Sequence, residues 1–306
     1  MQFVRRALRG ARFRPDLIIV GHPNFAPLGR ALGMLTRAPV VNFIYGIDAW
    51  EPLSKGRRRA LASSSLILSI SNFTAKRASE ENGVPLDKVR ILHNCLDPSF
   101  EPQAPLAMTD SLSLLTVARI SLAESYKGHD FVIRALPSLL QQFPDLIYNV
   151  VGDGDGRGAL ESLASELGVV DAVRFHGAVS ESELIRHYNA ASVFVMPSRF
   201  EGFGFVFLEA MTYGKPVVAG NRDASPEVVA DGETGFLVDP TSAPDIADKL
   251  ARLLGDADLR ERMGRAAVTR VADCFGFERF ENQLLTHLSE VHPDFHVEQS
   301  ASKPSS

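Results

Sequence analysis

The sequence predicts an α/β protein made of two Rossmann-like domains facing a cleft. Three observations lead there: short apolar runs alternate with helix-period stretches, a proline-rich break interrupts them, and the net charge changes sign across that break. The runs are Leu17–Val20, Val40–Tyr45, Leu66–Ile70 and Val89–Leu92, then Leu112–Val117, Leu146–Val151, Val173–His176, Val193–Met196 and Val217–Ala219. Alternation of this kind argues for parallel sheets covered by helices on both faces. The break begins at Asp97 with DPSFEPQAPLAMTDS, the natural interdomain linker. Residues 1–105 form a partial N-terminal domain and 106–275 the second domain. A helix over 276–292 packs back toward the first domain, and 293–306 form a frayed tail.

Composition narrows the class. At 306 residues with 45% apolar content, the chain can bury two cores of ordinary size. No apolar run approaches the roughly 20 residues that span a bilayer, and the arginine-dense start MQFVRRALRGARFR is unlike a secretory signal. A cytoplasmic protein is expected. Cys95 and Cys274 have no Cys or His neighbours at metal-ligand spacing and read as reduced thiols. The net charge of −5 divides into +7 over residues 1–105 and −12 over 106–306. A basic half suits phosphates or an anionic membrane face; groove-reading nucleic-acid motifs are absent, so no nucleic-acid partner is expected.

Open parallel sheets bind ligands at the carboxyl ends of their strands, so the residues after each run matter most. After Val193–Met196 comes PSRFEGFGFVFLEAMTYGKPVVAG, with Glu201 and Glu209 flanking Gly202, Phe203, Gly204 and Phe205. A helix opening near Phe203 or Gly204 would point free N–H groups at a ligand. The carboxylates would accept hydrogen bonds from hydroxyls, one orienting a sugar ring and the other clasping a ribose diol. Two glutamates alone would read as surface acids around a helix start.

The complete string resembles the signature of glycosyltransferase family 4, retaining enzymes of the GT-B fold, with its Glu, seven residues, Glu pattern inside EGFG-x-x-x-LEA. The resemblance runs over roughly residues 15–290 and is strongest after Leu114. It implies that Glu201 contacts donor-sugar hydroxyls, that the backbone from Gly202 to Phe205 supports sugar and phosphate, and that Glu209 binds the nucleotide ribose. It makes residues 106–275 the nucleotide-sugar domain and 1–105 the acceptor side. In LLTVARISLAESYKGHD, Arg119 follows a strand and Lys127 precedes a helix. Two cations there suit a diphosphate leaving group, and the resemblance assigns both to it. The glycine-rich turn VVGDGDG offers Gly152 and Gly154 either as a loop near the nucleotide or as a tight strand-to-helix turn. The backbone at Val179 is implied to meet the base; His176 reads as a plain strand-end residue.

Departures from the family pattern lie in the first half. Tyr45 stands where a histidine is usual before an acidic residue, which leaves Asp48 as a donor-site candidate or a loop acid. Nothing before Leu17 resembles the family's opening strand and glycine-rich loop, so the first domain reads as truncated, with an exposed sheet edge. The resemblance implies metal-independent, configuration-retaining transfer in which the departing diphosphate helps to deprotonate the acceptor. No cofactor or metal is expected, and Asp153 and Asp155 read as turn residues. The expected partners are a UDP- or GDP-sugar and a glycan or lipid-linked acceptor, with peripheral contact to an anionic membrane. Two other readings stay open: a sugar-nucleotide epimerase of the same fold, and a non-catalytic nucleotide-sugar-binding protein.

Overall fold

The computed structural model describes residues 2–98, 100 and 111–295. Two compact units emerge, one of Met1–Cys95 with Phe277–Ser306 and one of Leu96–Gly276. Most of the predicted linker (99 and 101–110) and the tail from 296 lie outside the described residues.

In the first unit, β1 (Ile18–Val20), β2 (Val40–Ile44), β3 (Leu66–Ser69) and β4 (Val89–Ile91) form a parallel sheet in the order β1-β2-β3-β4. Side chains alternate faces along each strand, and the two faces have different covers. Ile44 and Ile67 pack with Ala60, Leu61, Ala75 and Ala78 from helices Lys55–Ala62 and Asn72–Asn82. Val41, Leu66 and Leu68 pack instead with Leu92 and with Leu288 of the distant helix Phe277–Ser289. That helix helps to cover the second face, which is why it belongs to the first unit. A two-pronged contact of Arg90 with Glu290, at 3.0 and 2.8 Å, marks the same return. Both partners are over a third exposed, so burial of the apolar face outweighs the ion pair. β1 is an edge strand, and its Ile19 is 52% exposed.

The second unit has six parallel strands: β5 (Ser113–Val117), β6 (Ile147–Val151), β7 (Val173–Gly177), β8 (Val193–Met196), β9 (Val217–Gly220) and β10 (Gly235–Val238). Their order is β10-β9-β8-β5-β6-β7. All nine runs read from the sequence are strands; β10, inside GETGFLVDP, is additional. It is an edge strand of four residues closed in by the turn residues of GETG and DP, so its three apolar residues read as loop. The chain moves outward from β5 to β7, then reverses to place β8 on the other side of β5. That reversal is the topological switch point, where open α/β sheets bind ligands beyond their strand ends.

The sheet centre is pinned by a buried polar relay. The Thr116 hydroxyl donates to the Val195 carbonyl, so the fully buried Tyr148 hydroxyl, 2.8 Å away, donates to Thr116 Oγ1. Burial raises the Tyr148 pKa and keeps the phenol protonated. Every polar atom in this relay has its partner, and it ties β5, β6 and β8 together directly beneath the switch point.

Candidate active site

Two loops meet beyond the ends of β5 and β8. The first leaves β5 through Arg119, forms a 3-10 turn over Leu122–Lys127, and enters helix His129–Leu140 at Gly128. Gly128 has φ +82°, and a Cβ there would stand 2.5 Å from the Pro197 carbonyl oxygen. Only glycine allows this approach. The contact brings the first loop against the chain leaving β8, and the Arg199 N–H donates to the Tyr126 carbonyl at 3.0 Å. Lys127 Nζ thereby reaches Glu201 Oε2 at 2.5 Å, with both side chains more than four-fifths buried. Arg119 Nη2 makes a 2.5 Å pair with Glu124 Oε1, while its own side chain stays 79% exposed. Tyr126 lies among all four charges and feels each of them, although burial is the main reason its pKa is raised.

Glu201 is held at both ends. Its N–H donates to Asp223 Oδ2 at 2.7 Å, and Asp223 Oδ1 accepts from the Ser225 N–H at 2.9 Å. Burial lifts the Asp223 carboxyl to about 6, against the pull of those donors. Asp223 was not singled out from sequence; the Asp-x-Ser-Pro run, a capping pattern, is the signal that could have found it.

Past Glu201, Gly204 takes φ +90° and starts helix Phe205–Thr212. Gly202 is half-buried, Phe203 is 2% exposed and packs edge-on against Phe205 and Phe275, and Phe205 is 46% exposed. The Phe203 side chain is therefore core, and only its backbone is placed to serve a ligand. Glu209 lies one turn into the helix, where burial raises its pKa and a 2.6 Å hydrogen bond from the Tyr188 hydroxyl to Oε2 opposes that rise.

Gly152 and Gly154 follow β6, and a Cβ on either would collide with the carbonyl oxygen of Ala118 or Ile120. They press this turn against the β5 loop, and the Ile120 N–H donates to the Asp153 carbonyl at 3.0 Å. Asp155 accepts from the Leu122 N–H at 2.8 Å, and Asp153 Oδ1 from the Gly154 N–H at 2.8 Å. Both aspartates thus secure the turn. Val179 is half-buried between β7 and helix Glu181–Ala190, and its N–H and C=O have no protein partner among the described residues. His176 pairs with Asn149 at 2.8 Å and packs on His187. Asp48 belongs to the first unit, where its carboxylate accepts from the Tyr45 N–H at 3.1 Å; burial raises its pKa.

The glycine contact yields a direct expectation. Gly128→Ala forces a side chain into a left-handed backbone against a carbonyl, and should destabilise the fold by more than about 1 kcal/mol. A urea titration of the variant beside wild type checks this; equal midpoints would mean the approach is not tight.

Comparison with known proteins matches this arrangement. Residues 100–270 fit the family model of group 1 glycosyl transferases, and residues 1–100 that of Glycosyltransferase Family 4. A D-inositol 3-phosphate glycosyltransferase of Streptomyces avermitilis is 41% identical over 251 residues, covering 76% of this chain and 53% of that protein. A GDP-mannose-dependent α-(1-6)-phosphatidylinositol monomannoside mannosyltransferase of Mycolicibacterium smegmatis is 42% identical over 272 residues, covering 82% of this chain and 71% of that one. The chain spans about half the length of the Streptomyces relative. Among solved structures, Anabaena HepE in complex with UDP superposes with a TM-score of 0.82 at 22% identity, covering 93% of this chain and 82% of that one. Sucrose-phosphate synthase from Thermosynechococcus elongatus gives 0.78 at 24% identity, covering 95% and 78%. These two show the fold, which is GT-B. With both stretches matched and the glutamate pair standing at the switch point, the chain belongs to the group 1 glycosyl transferases of family 4.

Proposed function

We propose that the chain moves a hexosyl group from a UDP- or GDP-sugar to a hydroxyl of a glycan or lipid-linked acceptor, with retention of configuration, in cell-surface polysaccharide or glycoconjugate synthesis. The observation that carries this is the meeting of Lys127 and Glu201 beyond β5 and β8, inside a string that also holds Glu209. A cation and a carboxylate at one point suit a sugar diphosphate: Lys127, with Arg119, takes the phosphate oxygens, and Glu201 takes sugar hydroxyls. Glu209 holds the ribose, the backbone from Gly202 to Phe205 and at the Gly152 and Gly154 turn lies along the donor, and Val179 meets the base. Asp48 is a further donor-binding candidate. The names of the relatives support the donor class, one being GDP-mannose-dependent, and point toward inositol-containing acceptors.

The reaction needs no metal on this reading. The developing charge on the diphosphate is met by Arg119 and Lys127, and the acceptor proton passes to the departing phosphate. Glu201→Gln keeps the shape and removes the charge, so transfer should fall roughly 10²–10³-fold, about 2.7–4 kcal/mol in the barrier. Buried Lys127 loses its charged partner, so the melting temperature should fall as well, and turnover is read well below the melting temperature of both proteins. The assay is turnover of UDP- and GDP-hexoses with and without a chelator. Full activity of the Gln variant refutes the role of Glu201, and loss of wild-type activity to the chelator refutes metal independence.

The two cations give a second expectation. Arg119→Ala and Lys127→Ala should each weaken binding of UDP or GDP more than binding of uridine or guanosine. Calorimetric titration supplies the comparison, and equal losses would place neither side chain on the phosphates.

A lipid-linked acceptor would require the enzyme to work at a membrane surface. No helix among the described residues is long and apolar enough to cross a membrane; the contact proposed is peripheral, at the cytoplasmic face. Arg5, Arg6, Arg9, Arg12 and Arg14 are all exposed, and Phe13 among them is 86% exposed. Basic residues near anionic lipid contribute about 1 kcal/mol each, within a Debye length. The chain should therefore sediment with anionic vesicles at low salt and be released at high salt. No sedimentation at low salt would turn the reading toward a soluble acceptor.

A further inference from the structure

We propose that Tyr188 is a positioning residue for the donor: its phenol fixes the Glu209 carboxylate in the orientation that recognises the nucleotide ribose. The inference rests on the reading of Glu209 as the ribose ligand. Tyr188 lies on helix Glu181–Ala190, outside the Glu201–Glu209 string, and is 1% exposed. Its ring is stacked on Tyr213 at 5.4 Å and 4° and on Phe194 at 6.1 Å and 28°. Tyr213 in turn closes the helix that carries Glu209, its N–H donating to the Glu209 carbonyl at 3.3 Å. The phenol is thus clamped between β8 and the end of that helix, and its O–H has one direction to point. It points at Glu209 Oε2, 2.6 Å away.

A glutamate on an open helix face samples many rotamers, and binding must arrest them. Here the arrest is made in advance. An ionised carboxylate has about four acceptor positions, of which Tyr188 occupies one. No protein donor reaches Oε1 among the described residues. Oε1 and the second lone pair of Oε2 remain for two donors, which is the demand of a vicinal diol. Burial keeps the Tyr188 proton in place far above neutral pH, so the phenol stays a donor.

Tyr188→Phe removes the hydroxyl and leaves both ring stacks. Calorimetry with UDP and GDP, and with their 2′,3′-dideoxy counterparts, separates a ribose effect from a general one. The variant should bind the ribonucleotide roughly 10-fold more weakly, the size of one charge-assisted hydrogen bond, and bind the dideoxy form as wild type does. Glu209→Gln should show the same selectivity, and the double variant should be no weaker than Glu209→Gln, since one residue acts through the other. Equal losses for both nucleotides with Tyr188→Phe, or additive losses in the double variant, overturn the proposal while leaving Glu209 as the ribose ligand. If Glu209→Gln itself fails to discriminate, the ribose assignment falls and the positioning role with it. Should Tyr188→Phe fold poorly, Tyr213→Leu keeps the hydroxyl but frees the ring, and must show a smaller loss with the same ribose selectivity.

Discussion

The close approach of Gly128 to the Pro197 carbonyl is the constraint on which the site depends. β5 and β8 are neighbours in the sheet, but neighbouring strands do not by themselves bring their following loops into contact. The missing side chain at residue 128 does that, and the lysine before it is delivered to Glu201. The same device recurs across the sheet, where Gly152 and Gly154 let the β6 turn press on the carbonyls of Ala118 and Ile120. Three loops are thereby stacked backbone on backbone around the switch point, and the Tyr148–Thr116–Val195 relay holds the strands that carry them. Gly152 and Gly154, which the sequence offers either as a loop near the nucleotide or as a tight turn, make close backbone approaches here.

Both cations assigned to the diphosphate already have carboxylate partners, Lys127 with Glu201 and Arg119 with Glu124. The pairing has a physical consequence for a donor. An unpaired charge on buried Lys127 would be costly, so Glu201 acts as its stand-in anion, whereas Arg119 is largely exposed and its pair with Glu124 is worth little. On the proposed reading, a diphosphate entering here would replace one acceptor with another of higher charge and release the carboxylate of Glu201 for hydroxyl groups.

Much of this was legible in the sequence because it is written in local pattern. Nine strands announce themselves as apolar runs, and the glutamate string is contiguous. What was not legible arises from contacts between distant segments. Asp223 supports Glu201 across 22 residues, and Tyr188 reaches Glu209 from another helix. Leu288 completes a core whose other buried members run from Val41 to Leu92; the sequence offered a return of the last helix but not the face it covers. β10 failed for a different reason, its apolar residues being closed in by the turn-forming GETG and DP. Phe203 was read for its backbone alone, and its ring is buried against Phe275.

The two glutamates of the string illustrate how one motif can supply two kinds of acceptor. Glu201 is paired with a cation that a diphosphate can claim, so its partner is exchangeable and its carboxylate can change company as the donor arrives. Glu209 is paired with a neutral phenol that no phosphate would attract, locked by Tyr213 and Phe194. An exchangeable partner suits a group that must follow a sugar through a reaction. A fixed partner suits a group that grips a part of the donor that does not react. Seven intervening residues carry the chain from a loop before the helix to a position one turn inside it, and that step separates a displaceable environment from a rigid one.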